Sequence, residues 1–195
     1  MSGPLLRPTC SNTWAFWSNT VAAACVPTMR YELNAIISAR GVLEPLRARY
    51  RSAHLVALPR SELALIPLTE QLVWELDETG TRVCAETGFS HLSTGAFELL
   101  RATSAHGRIA YLEADYFGRD GRQSAAVWHL GEIIDGPRLL GRNEPFPAKG
   151  KSPICAALRQ LGVVASGHRD EFVVAGLGRF RSTSEWAAAG AAREA

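Results

Sequence analysis

The stretch that decides the fold runs from Arg108 to Leu130: Arg108-Ile-Ala-Tyr-Leu-Glu-Ala-Asp-Tyr-Phe117, then Gly118-Arg-Asp-Gly121, then Arg122-Gln-Ser-Ala-Ala-Val-Trp-His-Leu130. Both outer runs have the period of two that is expected of β-strands, whose successive side chains point to opposite faces. Glycine and aspartate between two such runs are typical of a hairpin turn. A second turn at 129–132 and a third run at Ile133–Asp135 extend the hairpin into an antiparallel meander.

Shorter strand-like and helix-like segments surround this meander. They are the strand-like segments 31–37, 54–58 and 63–68 and the helix-like segments 42–50, 70–77 and 94–103. Thr69 is the predicted N-cap of the helix 70–77, whose predicted buried stripe comprises Leu72, Val73 and Leu76. Further along, Ser152 and Pro153 begin a short helix that Gly162 ends, and 182–185 form a capping box for a last helix. Residues 172–174 predict a short strand or buried segment. The chain is therefore predicted to be α+β, an antiparallel β-meander packed on one face by several short helices.

The beginning of the chain differs from the rest in composition. Residues 1–28 contain one base and no acid, and their apolar stretch is interrupted by polar residues. This stretch is too short and too polar for a membrane span, and a signal peptide is the alternative interpretation. We expect residues 1–28 to be an unstructured extension upstream of a natural start at Met29. Residues 29–186 then form one α+β domain, and 187–195 a frayed helix or disordered tail.

Composition argues against several partners and cofactors. The chain has 195 residues with 21 basic and 19 acidic side chains, a net charge of +2. This balance predicts neither nucleic-acid nor membrane binding, both of which favour a clustered basic face. The four cysteines have no Cys-x-x-Cys spacing, so we expect no metal site, and reduced thiols in the cytoplasm. The segment Gly176–Arg179 lacks the third glycine of a dinucleotide-binding loop, and we expect no cofactor.

Two carboxylates on one predicted strand are the sharpest chemical feature. Glu113 and Asp115 point to the same face, with their Cβ atoms about 6.5 to 7 Å apart from the strand rise. This separation is compatible with an acid and a base, because glycosidases use carboxyl pairs at about 5 to 9.5 Å. The favoured interpretation is a solvated sheet face or an acidic recognition surface, whose acids pair with arginines across the hairpin. Tyr111 and Gln123 are predicted to lie near these acids, whereas Tyr116 and Trp128 are predicted to share the core side of the sheet.

The hairpin also carries a resemblance. The block from Ala110 to Trp128 resembles the pattern A-Y-x-E-x-x-Y-F-G-G-x-G-x-Q-x-A-x-x-W of small uncharacterised proteins of GC-rich bacteria. Those relatives are also similar in an Ile-Pro-Leu-Thr segment, here 66–69, and in a closing portion, here 170–186. Arg119 stands where the pattern has its second glycine. The resemblance spans about residues 65–186 and implies kinship without an activity. In size and in its acid-bearing sheet the family is similar to immunity proteins that neutralise secreted bacterial toxins.

The sequence therefore predicts a cytoplasmic, non-enzymatic protein-binding module, immunity-like in its specific form. Its proposed binding residues lie on the hairpin and are Tyr111, Glu113, Asp115, Arg122 and Gln123. Charged and aromatic groups on a rigid sheet supply both steering and anchoring for a protein partner. The alternative is a small hydrolase that uses Glu113 and Asp115 as acid and base. Nucleic-acid binding through dispersed arginines ranks last.

Overall fold

A computed structural model describes residues 30–59, 61–77, 87–117 and 120–193. Its strands are β1 (Arg30–Ala39), β2 (Val56–Ala57), β3 (Leu63–Pro67), β4 (Ile109–Phe117), β5 (Asp120–His129) and β6 (Glu132–Leu140). Its α-helices are α1 (Arg40–Arg49), α2 (Glu70–Leu76), α3 (Thr94–Thr103), α4 (Pro153–Gln160), α5 (Glu171–Val174) and α6 (Thr183–Ala191). Within these ranges the strands form one antiparallel sheet in the order β2-β3-β1-β4-β5-β6.

The predicted hairpin and meander are confirmed. β4 pairs with β5 from Ile109 opposite Trp128 to Phe117 opposite Asp120. β6 pairs with β5 in turn and continues to Leu140, past the predicted end of the third run. Residues 118 and 119 of the predicted turn lie outside the described residues. The meander contributes three strands. β1 pairs with β4 on one side and with β3 on the other, and so connects the meander to β3.

The sheet is covered by helices on both faces. Its front face packs against α1, α2 and α3 in a core that includes Leu43, Leu72 and Leu100. Its back face packs against α4, α5 and α6, with Leu158 and Trp186 in the core. The α+β class with helices on an antiparallel sheet is confirmed, and the structure differs in placing helices on two faces, where one was expected.

The reason for two covered faces lies in the strands themselves. Ile36 and Ile37 are consecutive residues of β1, point to opposite faces, and are both fully buried. All five residues of β3 are buried as well. A strand that is apolar at every position is buried on both sides, whereas an alternating strand has one solvated face. The second layer of helices follows from these central strands.

The number of residues between β4 and β5 also determines which side chains share a face of the sheet. Trp128 and Tyr116 were expected on one side of the sheet, but they lie on opposite faces. β5 resumes at Asp120, so that Trp128 is opposite Ile109 and Tyr116 is opposite Gly121. Because a shift of one residue moves every side chain to the other face, the connection of two residues sends Trp128 to the front core. It is fully buried there, as expected of a core residue.

Side-chain caps begin the helices where the sequence predicts them. Thr69 accepts a hydrogen bond from the amide of Leu72, and Ser152 accepts one from Cys155. Ser182 and Glu185 form the predicted capping box at the start of α6. Gly162 follows α4 with a φ of +89°, a conformation that favours glycine after a helix end.

One predicted element is wrong. Residues 172–174 were expected as a short strand or buried segment, but they belong to helix α5, and Val173 is exposed. The side chain of Asp170 accepts a hydrogen bond from the amide of Val173 and thereby caps the helix. The β-branched pair of valines suggested a strand, but this local cap and the tertiary setting outweigh that propensity.

The ends of the chain complete the comparison with the sequence. The expected extension over 1–28 and the start at Met29 lie outside the described residues. α6 continues to Ala191, so much of the segment expected to fray is helical. In the described part of the chain, no helix is both long and apolar enough to cross a membrane.

Candidate functional site

The structure separates the five predicted binding residues. Tyr111, Glu113 and Asp115 point to the front face, as their alternation on β4 predicts, whereas Gln123 points to the back. Tyr111 is fully buried and Gln123 is nearly so, which corrects the expectation that both reach a partner. The ring of Tyr111 packs edge-on against Phe89, with 5.0 Å between ring centroids. Of the five, Asp115 and Arg122 retain the larger exposure.

Glu113 is a buried carboxylate held by three donors. Only 4% of its surface is exposed. Oε1 accepts hydrogen bonds from the Tyr111 hydroxyl at 2.8 Å and from the His91 amide at 2.7 Å, while Oε2 accepts one from the Ser90 amide at 2.9 Å. Such bonds stabilise an ionised carboxylate after it has lost its water. Burial and the neighbouring Glu113 charge raise the pKa of Tyr111 well above its ordinary value of 10.0. The phenol therefore stays protonated and donates its hydrogen bond to Glu113.

This arrangement fixes the segment around Ser90 to the sheet. Ser93, just after it, caps α3 by accepting a hydrogen bond from the amide of Ala96. The Gly95 amide donates to the Asp77 side chain at 2.8 Å and ties the start of α3 to the end of α2. Gly95 is required there, because a Cβ atom would lie 2.5 Å from the Leu76 carbonyl oxygen. The segment is therefore held at Glu113 and at the start of α3, and α3 is itself tied to the end of α2.

Asp115 forms ion pairs that the sequence did not predict. Its carboxylate lies 2.7 Å from the Arg142 guanidinium and 3.6 Å from that of Arg30. Arg122, its partner in the strand register, instead donates to the Ser90 hydroxyl at 2.7 Å and lies 3.2 Å from Nε2 of His91. Among the described residues, the guanidinium of Arg122 has no carboxylate partner, so its charge is available to a ligand.

These side chains line a surface groove at one end of the sheet. Two adjoining cavities of about 690 and 140 Å³ share Glu32, Asn34 and His91. Trp74 of α2 lines the larger cavity with 63% of its surface exposed, and Arg122 lines the smaller one. We call the two cavities together the front groove.

Two residues of the front groove were missed from the sequence. Trp74 lies outside the predicted buried stripe of its helix, which comprises Leu72, Val73 and Leu76. A tryptophan off that stripe was the available signal, because large aromatic side chains in exposed positions are typical of binding surfaces. His91 gave no comparable signal, since its place beside Arg122 depends on the bonds between Glu113 and the backbone.

Both carboxylates are engaged by other groups of the protein. Glu113 accepts hydrogen bonds from three donors, and Asp115 forms ion pairs with two arginines. Across the described ranges, no group of three or more His, Cys, Asp or Glu side chains could hold a metal ion. The front groove therefore presents polar and aromatic side chains at the surface.

No protein-family model, curated protein or solved structure matches this chain. The resemblance of its hairpin to proteins of GC-rich bacteria therefore stays a prediction.

Proposed function

We propose that this protein is a non-enzymatic protein-binding module that holds its partner in the front groove. The observation that carries the proposal is Glu113 with its three donors, which holds Ser90 and His91 beside the exposed Trp74. Arg122 lies next to them and has no carboxylate partner in the described part of the chain. Tryptophan and arginine are enriched among the residues that dominate binding energy at protein interfaces. Asp115 remains on the rim, where a charge acts on association rate more than on affinity.

The groove is prepared for binding before the partner arrives. Arg122 is oriented by the Ser90 hydroxyl and His91, and those two residues are fixed through their backbone amides. A side chain that is already ordered loses less conformational entropy on association, which costs about 0.5 to 1.5 kcal/mol for each flexible side chain immobilised.

In its specific form, we propose that the partner is a bacterial toxin that the protein neutralises in the cytoplasm. The support for this form is the resemblance in size and in the acid-bearing sheet to immunity proteins. The free thiol of Cys155 fits a reducing compartment. The engaged state of Glu113 and Asp115 favours binding over the hydrolase alternative.

The test compares the wild-type protein with a Trp74→Ala, Arg122→Ala double variant. Each is immobilised and exposed to a nuclease-treated lysate of the organism that encodes it, and the captured partner is purified for measurement of Kd. We expect the double variant to bind at least about thirtyfold more weakly, a loss on the order of 2 kcal/mol. Val164→Ala is the matched control, because Val164 is also an exposed apolar residue and does not line the groove.

Two results would overturn the proposal. One is a partner bound equally well by the wild-type protein and the folded double variant, which would place the interface elsewhere. The other is turnover of a substrate that Glu113→Gln abolishes while substrate binding persists, which would establish an enzyme. For the toxin-neutralising form, the purified partner must be toxic when expressed alone and harmless when this protein is co-expressed.

A further inference from the structure

A second cavity lies at the same end of the sheet, on its back face. It has a volume of about 750 Å³, within the range of small-molecule sites. Its aromatic lining comprises Tyr31, Tyr116, Phe146 and Phe172. None of these residues belongs to the front groove, so an inference about this cavity is independent of the proposed protein partner.

The sheet shapes the floor of this back cavity. Tyr31 of β1, Tyr116 of β4 and Gly121 of β5 are register partners in one row across three strands. A Cβ atom at position 121 would lie 2.4 Å from the ring of Tyr116, so the glycine makes room for that ring over β5. Tyr116 packs edge-on against Phe146 at 5.7 Å, and Tyr31 packs edge-on against Phe172 at 5.6 Å. Such rings also offer faces and edges to an aromatic ligand.

The start of α4 closes the cavity but offers no anion site. Pro153 has no amide proton, the Ile154 amide donates to Oε1 of Gln123, and the Cys155 amide donates to the Ser152 hydroxyl. The first turn of the helix therefore has its donors occupied. Cys155 lines the cavity, and burial raises the pKa of its thiol, so it is a neutral wall group here and not a nucleophile.

Two cations line the cavity without acidic partners. Arg181 lies beside Tyr31. Burial raises the pKa of the Tyr31 phenol, and the positive charge of Arg181 acts to lower it. Lys149 donates to the carbonyl oxygen of His168. Across the described chain, neither cation forms an ion pair. Asp170 also lines the cavity, and its Oδ1 is engaged as the cap of α5. Two cations and one acid give the lining a net charge of +1.

We propose that the back cavity binds a planar aromatic molecule that carries one carboxylate. The aromatic walls take the ring, because moving an apolar ring from water into such a cavity is favourable. Lys149 and Arg181 take the carboxylate, because arginine binds a carboxylate through two parallel hydrogen bonds. The Tyr116 hydroxyl is buried and has no hydrogen-bond partner among the described residues, so a ligand acceptor would satisfy it.

The experiment uses three probes that differ in charge and share one ring system: 2-naphthoate, 2-naphthalenemethanol and 2-naphthylmethylamine. Their affinities for the full chain are measured by isothermal titration calorimetry at pH 7. We expect 2-naphthoate to bind at least about tenfold more tightly than the neutral alcohol, a difference of about 1.4 kcal/mol. We expect the protonated amine to bind more weakly still, because it meets the positive lining.

Matched variants separate charge from shape. In a Lys149→Gln, Arg181→Gln double variant, 2-naphthoate should lose at least about tenfold in affinity while the alcohol binds as before. The control is Lys151→Gln with Arg179→Gln, which removes two cations at neighbouring positions that do not line the cavity. An Ala148→Trp variant places a ring among the lining residues and should block all three probes.

Several outcomes would overturn the proposal. Failure of all three probes to bind at millimolar concentration would show that the cavity takes no aromatic ligand. Equal affinities, or a preference for the amine, would exclude the carboxylate. Binding that persists in a folded Ala148→Trp variant would place the probe at another site. Nuclear magnetic resonance supplies the direct check, because the Gln123 side-chain amide on the cavity lining should shift when 2-naphthoate binds.

Discussion

The front and back faces of the sheet each bury one glutamate, and they hold it differently. Glu113 on the front is 4% exposed and receives three neutral donors. Glu171 on the back is 3% exposed and pairs with Arg159, whose side chain lies 2.7 Å away and is 52% exposed. One carboxylate is thus stabilised by fixed dipoles inside the protein, and the other by a cation that also contacts water.

Because of this difference, each face has cations that do not neutralise its buried glutamate. Because neutral donors satisfy Glu113, the front face does not use Arg122 to neutralise it. The back face uses Arg159 on Glu171 and leaves Lys149 and Arg181 to the cavity. The two arrangements also differ in what happens when one partner is removed. On the front, removal of Glu113 leaves three donors inside the protein without their acceptor. On the back, removal of Arg159 lets water reach Glu171, because Arg159 is half exposed.

The largest expected effect is on the front. Glu113→Ala should lower the free energy of unfolding by about 3 kcal/mol, because it leaves the Tyr111 hydroxyl and two backbone amides without their acceptor. Urea denaturation at pH 7 measures the change. Glu98→Ala on the exposed side of α3 is the control and should change stability by less than about 0.5 kcal/mol. A loss below about 1 kcal/mol for Glu113→Ala would mean that water replaces the carboxylate.

On the back, we expect Arg159→Ala to cost about 2 kcal/mol, because it leaves Glu171 as a buried charge with its partner removed. The value is below that for a fully buried pair, since Arg159 is half exposed and solvent screens its charge. Adding Glu171→Gln to Arg159→Ala should recover part of the loss in the same denaturation assay. Arg169→Ala, an exposed arginine nearby, is the control. If the second change recovers nothing, the charge of Glu171 is not the cause.

Removal of one hydroxyl on each face sharpens the comparison. Tyr111→Phe should cost about 1.5 kcal/mol, because its hydroxyl donates to a charged group. Tyr31→Phe should cost about 0.5 to 1 kcal/mol, because its hydroxyl donates to the neutral carbonyl oxygen of Leu177 at 3.1 Å. Thermal and urea denaturation measure both variants. Equal losses would contradict the assignment of the stronger bond to the front face.

The smallest expected effect concerns pH. Burial acts to raise the pKa of Glu171, but a hydrogen bond from its own backbone and the neighbouring Arg159 outweigh burial and hold this pKa below its ordinary value of 4.5. The unfolded chain therefore binds the proton more readily. The stability that Glu171 contributes is present above pH 4.5 and is lost as the pH falls through the lowered folded value. The difference in unfolding free energy between the wild-type protein and Glu171→Gln should shrink over that interval. A constant difference from pH 7 to pH 3 would contradict it.

Local signals explain which parts of this fold the sequence predicts. The alternation along β4, the capping residues Thr69 and Ser152, and the capping box of α6 each depend on residues within a few positions. These features are confirmed. By contrast, the face on which Trp128 lies depends on the number of residues between β4 and β5, since one residue more would move Trp128 to the other face. The wrong assignment of α5 shows the same limit, because propensity alone cannot weigh a cap against tertiary packing.

The candidate site depended on contacts distant in sequence. Alternation correctly placed Glu113 and Asp115 on one face, but only the second layer of helices decides that Tyr111 is buried beneath Phe89. Trp74 and Arg122 lie 48 positions apart in the sequence and line the same groove. No periodicity in the sequence links these two residues, so only the folded structure shows that they line one groove.

The bonds on Glu113 bear on how this surface can diversify during evolution. Two of its three donors are backbone amides, which every amino acid except proline provides. Residues 90 and 91 can therefore exchange their side chains while the segment keeps its position, whereas Tyr111 and Glu113 must be retained together. If the front groove holds a protein partner as proposed, substitutions at residues 90 and 91 would change its specificity at little cost in stability. Recognition could then vary during evolution while the scaffold is inherited unchanged.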